Sequence, residues 1–147
     1  MELVEISHNG SVDVAGLDFA AMAPEAFAAT REMYALTGFV RPWIGYVAIE
    51  DGKAAGFCAF KSPPVGSRVE IAYNTFPECE GRGVATQMAR MLMELAWQTN
   101  PALTVVAQTL PEEGASTAIL RKLGFRLLGS VQHPTDGEVW EWSCNKS

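Results

Sequence analysis

At 147 residues and 48% hydrophobic content, the chain has the apolar material for one domain, read as residues 1–147, with a sizeable core. Eleven basic against 17 acidic residues leave a net charge of −6 and no basic block, which argues against nucleic acid as the main partner. No signal peptide opens the sequence, no apolar run approaches the roughly 18 residues of a membrane span, and Cys58, Cys79, Cys144, His8 and His133 form no metal-ligand spacing. The odd thiol count suits a reducing cytoplasm.

Residues 1–22 carry the weakest pattern. Leu3–Ile6 reads as a short strand and His8-Asn9-Gly10 as a turn. Pro24–Leu36 reads as a helix, with proline in the first turn, alanines inside and Gly38 just beyond. Three antiparallel strands are then expected: Trp43–Glu50, Ala54–Phe60 after the hairpin signal Asp51-Gly52, and Val69–Phe76, which Pro77 closes.

The next stretch organises the chain. Glu80-Gly81-Arg82-Gly83-Val84-Ala85 leads into a helix over residues 83–99, with Val84, Met88, Met91, Leu92 and Leu95 on one face and Gln87, Arg90, Glu94 and Gln98 on the other. The first N–H groups of a helix lack intrahelical partners and carry the positive end of its dipole. Glycines ahead of them let a ligand approach without meeting Cβ atoms. The stretch is therefore a candidate anion site, for phosphate or pyrophosphate, with a simple turn as the competing reading. Gly83 is followed by Val-Ala-Thr, so the Gly-Lys-Ser/Thr of a Walker loop is missing, and no third glycine completes a dinucleotide fingerprint.

Asn100-Pro101 stops that helix, and Leu103–Gln108 follows as a short buried strand, reached by a crossover and so parallel to the strand opening at Val69. In Pro111–Phe125 a helix ends on Lys122-Leu123-Gly124-Phe125, where Gly124 reads as a left-handed C-terminal cap and Phe125 folds back toward Leu120. The chain closes with a strand pair around His133–Gly137. In its last strand Trp140, Trp142 and Cys144 share one face, a stripe better suited to core than to binding.

These pieces together resemble the GCN5-related N-acetyltransferases. Their pyrophosphate loop has the form Gln/Arg-x-x-Gly-x-Gly/Ala, and Glu80-x-x-Gly83-x-Ala85 fits it except at the first position. Pro111-Glu112, Ser116 and Lys122-Leu123-Gly124-Phe125 resemble the branch of the ribosomal-protein N-terminal acetyltransferases. The family's pantetheine-contacting Asn is Glu113 here, and its general-acid Tyr is Leu120. The resemblance covers about residues 43–143.

It implies an α/β fold of the α+β type. A mixed, mostly antiparallel sheet would splay between its fourth and fifth strands, with helices on both faces and pantetheine lying in the cleft like an added strand. It also implies direct acetyl transfer from acetyl-CoA to a primary amine within a ternary complex. Thr75, Phe76, Gly81, Arg82, Gly83, Val84, Ala85, Thr86, Glu113 and Ser116 are the residues expected at the coenzyme. The first helices would border the acceptor, giving Phe27, Arg31 and Tyr34 as acceptor-side candidates. A coenzyme-binding protein of the same fold with weak or regulatory activity is the alternative.

Amide formation needs a neutral amine, a polarised carbonyl and a proton for the departing thiolate. A lysine-type amine of pKa about 10.4 is only about one-thousandth neutral near pH 7.4, a deficit of roughly 4 kcal/mol, whereas an α-amine at about 7.7–8.0 loses well under about 1 kcal/mol. A protein without a strong base therefore suits an α-amine on a peptide or protein, with a small-molecule amine as the other option. Glu70, on the strand face shared with Ala72 and Asn74, is the candidate base, directly or through a water, and Glu113 is a second. Ser116 and Tyr73 are candidate acids, with a helix N-cap as the competing role for Ser116. A backbone N–H near Asn74–Thr75 would polarise the carbonyl. No metal and no membrane partner are expected, and either a monomer or a homodimer fits.

Overall fold

A computed structural model describes residues 1–147. The strands are β1 (Glu2–Glu5), β2 (Gly45–Glu50), β3 (Lys53–Phe60), β4 (Arg68–Thr75), β5 (Thr104–Thr109), β6 (Arg126–His133) and β7 (Gly137–Asn145). They form one seven-stranded sheet in the order β1-β2-β3-β4-β5-β7-β6. All neighbours are antiparallel except β4 and β5. The helices are α1 (Phe19–Met22), α2 (Pro24–Thr37), α3 (Val84–Thr99) and α4 (Ala115–Lys122), with a 3₁₀ turn at Pro77–Cys79 that the sequence pattern had not predicted.

The alternation of side chains along β2–β4 assigns the two faces. Tyr46, Cys58, Phe60 and Ile71 point toward α3 and α4, joining Met88, Leu92, Leu120 and Trp142 in the larger core. Val47 and Phe57 point the other way, where Val47 is buried with Phe19 and Ala26 of the first two helices. Helices thus cover both faces, as the resemblance implied. The hairpin at Asp51-Gly52 takes φ of 53° and 76°, the left-handed pair a tight two-residue turn requires.

Two local structures hold the second half in register. Phe125 N–H donates to Leu120 O at 2.9 Å and Gly124 N–H to Arg121 O at 3.1 Å, with Gly124 at φ +95°. This is the paired cap that lets Phe125 and Leu120 pack together in the core. Trp142 is fully buried, its indole N–H donating to Thr109 Oγ1 at 3.0 Å, which ties β7 to β5. Trp140 is only partly buried beside it, so the aromatic stripe is core, as its pattern predicted.

The feature that positions the site is a break in the sheet. β4 pairs with β5 only through Arg68↔Thr104, Val69↔Val105 and Glu70↔Val106. β3 stays paired with β4 from Ile71 to Thr75, and β7 stays paired with β5 out to Thr109. Beyond Glu70 and Val106 the two halves diverge, each held by its outer neighbour.

Candidate active site

Backbone hydrogen bonding fixes what the cleft presents. Phe76 N–H donates to Ala55 O at 2.9 Å and Glu70 O accepts from Lys61 N–H at 2.9 Å, so the even-numbered residues of β4 direct their backbone groups toward β3. By alternation, the N–H and C=O of Tyr73 and Thr75 face the open side. Asn74 N–H is therefore turned to β3, and of the pair Asn74–Thr75 only Thr75 offers a donor to the cleft. The Phe76 N–H is likewise occupied, and its side chain is buried. Thr75 Oγ1 is buried with no hydrogen-bond partner.

At the mouth of the cleft stands the glycine loop. Gly81 and Gly83 adopt φ of +80° and +75°, and Gly83 is the residue preceding α3, with no side chain capping the helix. The N–H groups of Gly81, Arg82, Gly83, Val84, Ala85 and Thr86 have no acceptor within the protein; the first helical bond is Gln87 N–H to Gly83 O at 3.1 Å. A Cβ built on either glycine meets nothing within 4 Å, so the space over the loop is open. Arg82 donates to Glu78 O at 3.1 Å, and Glu80 is exposed without an ion-pair partner. Consecutive donors at a helix N-terminus, reinforced by its dipole, form a cradle for a doubly anionic group. The observed donors, together with the unpaired edge of β4, fit the pyrophosphate and pantetheine of coenzyme A.

Glu70, Tyr73 and Ser116 line one cavity of about 130 Å³ in the cleft, with Lys61, Gln108 and Thr109. Glu70 Oε2 lies 3.2 Å from Lys61 Nζ, close enough for an ion pair but at an angle that makes no hydrogen bond, so this buried oxygen has no hydrogen-bond partner. Ser116 is exposed at the second position of α4. The N-cap is Gly114 instead, whose N–H donates to the buried Thr117 Oγ1 at 2.9 Å, so Ser116 has no capping duty.

Glu113 is exposed, and its carboxylate faces Arg121 and Thr117 rather than the cleft. Arg121 Nη2 donates to Oε2 at 3.0 Å and Nη1 to Oε1, while Thr117 Oγ1 donates to Oε1 at 3.0 Å. The Arg121 hydrogen bonds, with help from Thr117, hold this carboxyl below the usual carboxylate range. That makes it a poor base, and its visible work is bracing the loop onto α4. Leu120 is fully buried in the core, so no hydroxyl substitutes for the missing tyrosine at that position.

Burial pushes the Tyr73 hydroxyl up to about 12, and burial does the same for Tyr34, also to about 12. Both stay protonated at neutral pH. Between about pH 10 and 12 the unfolded chain would release these protons first, so it binds fewer protons than the native state and stability falls as pH rises. Melting temperatures measured from pH 9 to 12 should therefore drop across that window, and Tyr73→Phe should shallow the slope. A slope unchanged in the variant would mean Tyr73 is not desolvated.

Of the acceptor-side candidates on α2, Tyr34 is corrected, since the core takes it up. Tyr34 is in the core, donating to Ile6 O at 2.7 Å and accepting from Gly45 N–H at 2.9 Å, and Arg31 lies over the Phe27 ring at 5.9 Å. None of the three lines the large cavity beside the cleft. The face of α2 that does so carries Ala29, Met33 and Leu36, spaced i, i+4, i+7. That stripe overlaps the Tyr34 stripe in sequence, and alanine-rich helices do not declare which apolar face is core.

A model of the acetyltransferase (GNAT) domain matches residues 17–126. The chain belongs to this family. No curated protein matches it in sequence. Among solved structures it is similar to the ribosomal-protein-S5-alanine acetyltransferase of Vibrio fischeri (TM-score 0.62, 15% identity, over 71% of this chain and 62% of that one). It is also similar to the ribosomal-protein-S18-alanine N-acetyltransferase of Escherichia coli (0.63, 15%, 80% and 77%). A third likeness is to an aminoglycoside acetyltransferase in complex with coenzyme A (0.61, 20%, 70% and 66%). The chain thus spans 62% and 66% of the first and third of these proteins. At such identities these likenesses speak to the fold, which is the mixed sheet with its parallel β4–β5 pair.

Proposed function

We propose that residues 1–147 act as one acyl-CoA N-acyltransferase domain that moves an acetyl group from acetyl-CoA to a primary amine, with an α-amine favoured. The observation that carries this reading is the six consecutive free N–H groups of residues 81–86 at the mouth of a sheet that opens beyond Glu70. These groups would hold the pyrophosphate, and the exposed edge of β4 at Tyr73 and Thr75 the pantetheine arm. When bound, acetyl-CoA supplies the activated acetyl thioester.

Glu70, directly or through a water, takes the proton of the incoming ammonium. Its buried Oε2, ion-paired with Lys61 but accepting no hydrogen bond, supports this role. The N–H of Thr75 donates to the oxygen on which negative charge develops. Ser116, exposed and without a partner, and Tyr73, protonated at neutral pH, are the hydroxyls that can return a proton to the departing sulfur. No helix is long and apolar enough to cross a membrane, and three free cysteines fit a cytoplasmic setting.

Calorimetric titration of acetyl-CoA, followed by thiol release against short peptides and small amines, tests the reading. Binding with turnover is expected. Binding without turnover on any acceptor would leave a coenzyme-binding protein, and no binding would remove the coenzyme altogether.

A further inference from the structure

Beside the cleft, between α2 and the β3–β4 face that carries Phe57, lies a cavity of about 630 Å³. Its walls are mainly apolar: Ala29, Met33 and Leu36 from α2 stand across from Phe57, Ala59 and Ala72. Charge enters at few points. Glu32 is exposed on α2, where water screens it, and His133 reaches in from the end of β6. Lys61 is the remaining charged residue of the lining. Lys61, Ala72 and Tyr73 line both this cavity and the smaller one in the cleft, so the two spaces meet beside Glu70.

We infer that the acceptor is a primary amine bearing one positive charge on an apolar body, with its amine at the Lys61–Glu70 junction and its body against Ala29, Met33 and Leu36. This rests on the proposed transferase reading. At the junction one carboxylate, Glu70, already has one cation 3.2 Å away, and the Lys61 side chain is 45% exposed and free to swing outward. An incoming ammonium replaces Lys61 as the partner of Glu70 and leaves the charge count unchanged. A second cation on the acceptor has no such exchange. It meets either the ammonium of Lys61 or walls whose one carboxylate, Glu32, is exposed and screened by water, so within the apolar part of the cavity the second charge has no desolvated partner and is disfavoured. Lys61 is thus a specificity-determining residue as well as a neighbour of the proposed base.

The test compares kcat/KM for 2-phenylethylamine and leucinamide with that for spermidine at saturating acetyl-CoA. The two monocations should exceed spermidine at least ten-fold (~1.4 kcal/mol). Leu36→Glu, at a side chain 79% exposed and so harmless to folding, should raise KM for 2-phenylethylamine and narrow the gap. Lys61→Gln should narrow it by improving spermidine. Binding is read separately from the carbon-13 methyl resonance of Met33 in the coenzyme A complex. It should move with 2-phenylethylamine and stay still with spermidine. Turnover that favours spermidine, or a Met33 methyl unmoved by 2-phenylethylamine, would overturn the inference while leaving the transferase reading intact. A selective Met33 shift without turnover on any amine would support the pocket and count against the transferase reading.

Discussion

Gly83→Val should weaken acetyl-CoA binding by at least about 100-fold, roughly 2.7 kcal/mol. Gly83 sits at φ +75°, a conformation that costs an L-residue about 1–2 kcal/mol and is worst for a β-branched one. The free protein has room for the side chain, since a Cβ there meets nothing within 4 Å. The damage is therefore divided between a modest loss of stability and a large loss of binding. Any relaxation of φ rotates the neighbouring N–H groups out of their common direction, and the new methyls occupy the open space over the loop. Each charge-assisted hydrogen bond lost costs about 1.5–3 kcal/mol, so misdirecting one or two accounts for the whole effect. Calorimetry for binding and urea denaturation for stability separate the two contributions. An unchanged affinity would show that the loop does not hold an anion.

Glu70→Gln should lower kcat/KM by about 10²–10⁴-fold, the usual worth of a positioned general base, with coenzyme affinity unchanged. The isosteric amide keeps the shape of the side chain and discards its charge, so a packing role would predict little change in rate. The acceptor sharpens the distinction. An α-amine of pKa about 7.7–8.0 increasingly supplies its own neutral form as pH rises from about 7 to 9, so the defect should shrink across that range. A lysine-type amine near 10.4 stays almost wholly protonated there, and its defect should persist. Steady-state rates with both acceptor types at three pH values would decide. Equal rates for the variant and the parent at pH 7 would remove Glu70 from the chemistry.

Much of the frame was legible because it is written in local patterns. The Asp51-Gly52 hairpin, the α3 stripe through Val84, Met88 and Leu92, and the Gly124 cap all depend on residues within a turn or two of one another. The anion cradle belongs to the same class, since two glycines and a helix start suffice to align its donors. Resemblance added the order of the elements and, with it, the expectation of a splayed sheet.

Tertiary structure decided the rest. Whether Ser116 caps its helix turned on Gly114 and Thr117, and on where α4 begins. Glu113 looked free in sequence but is committed to Arg121, eight residues on, through a contact made only when the α4 turns stack. On α2, two apolar stripes compete, and packing against β2 and β3 assigned Tyr34 to the core and Ala29, Met33 and Leu36 to the cavity. Side-chain spacing fixes which residues of an element share a face. The partner each face meets depends on long-range packing, and in this chain that packing shapes the cavity beside the cleft.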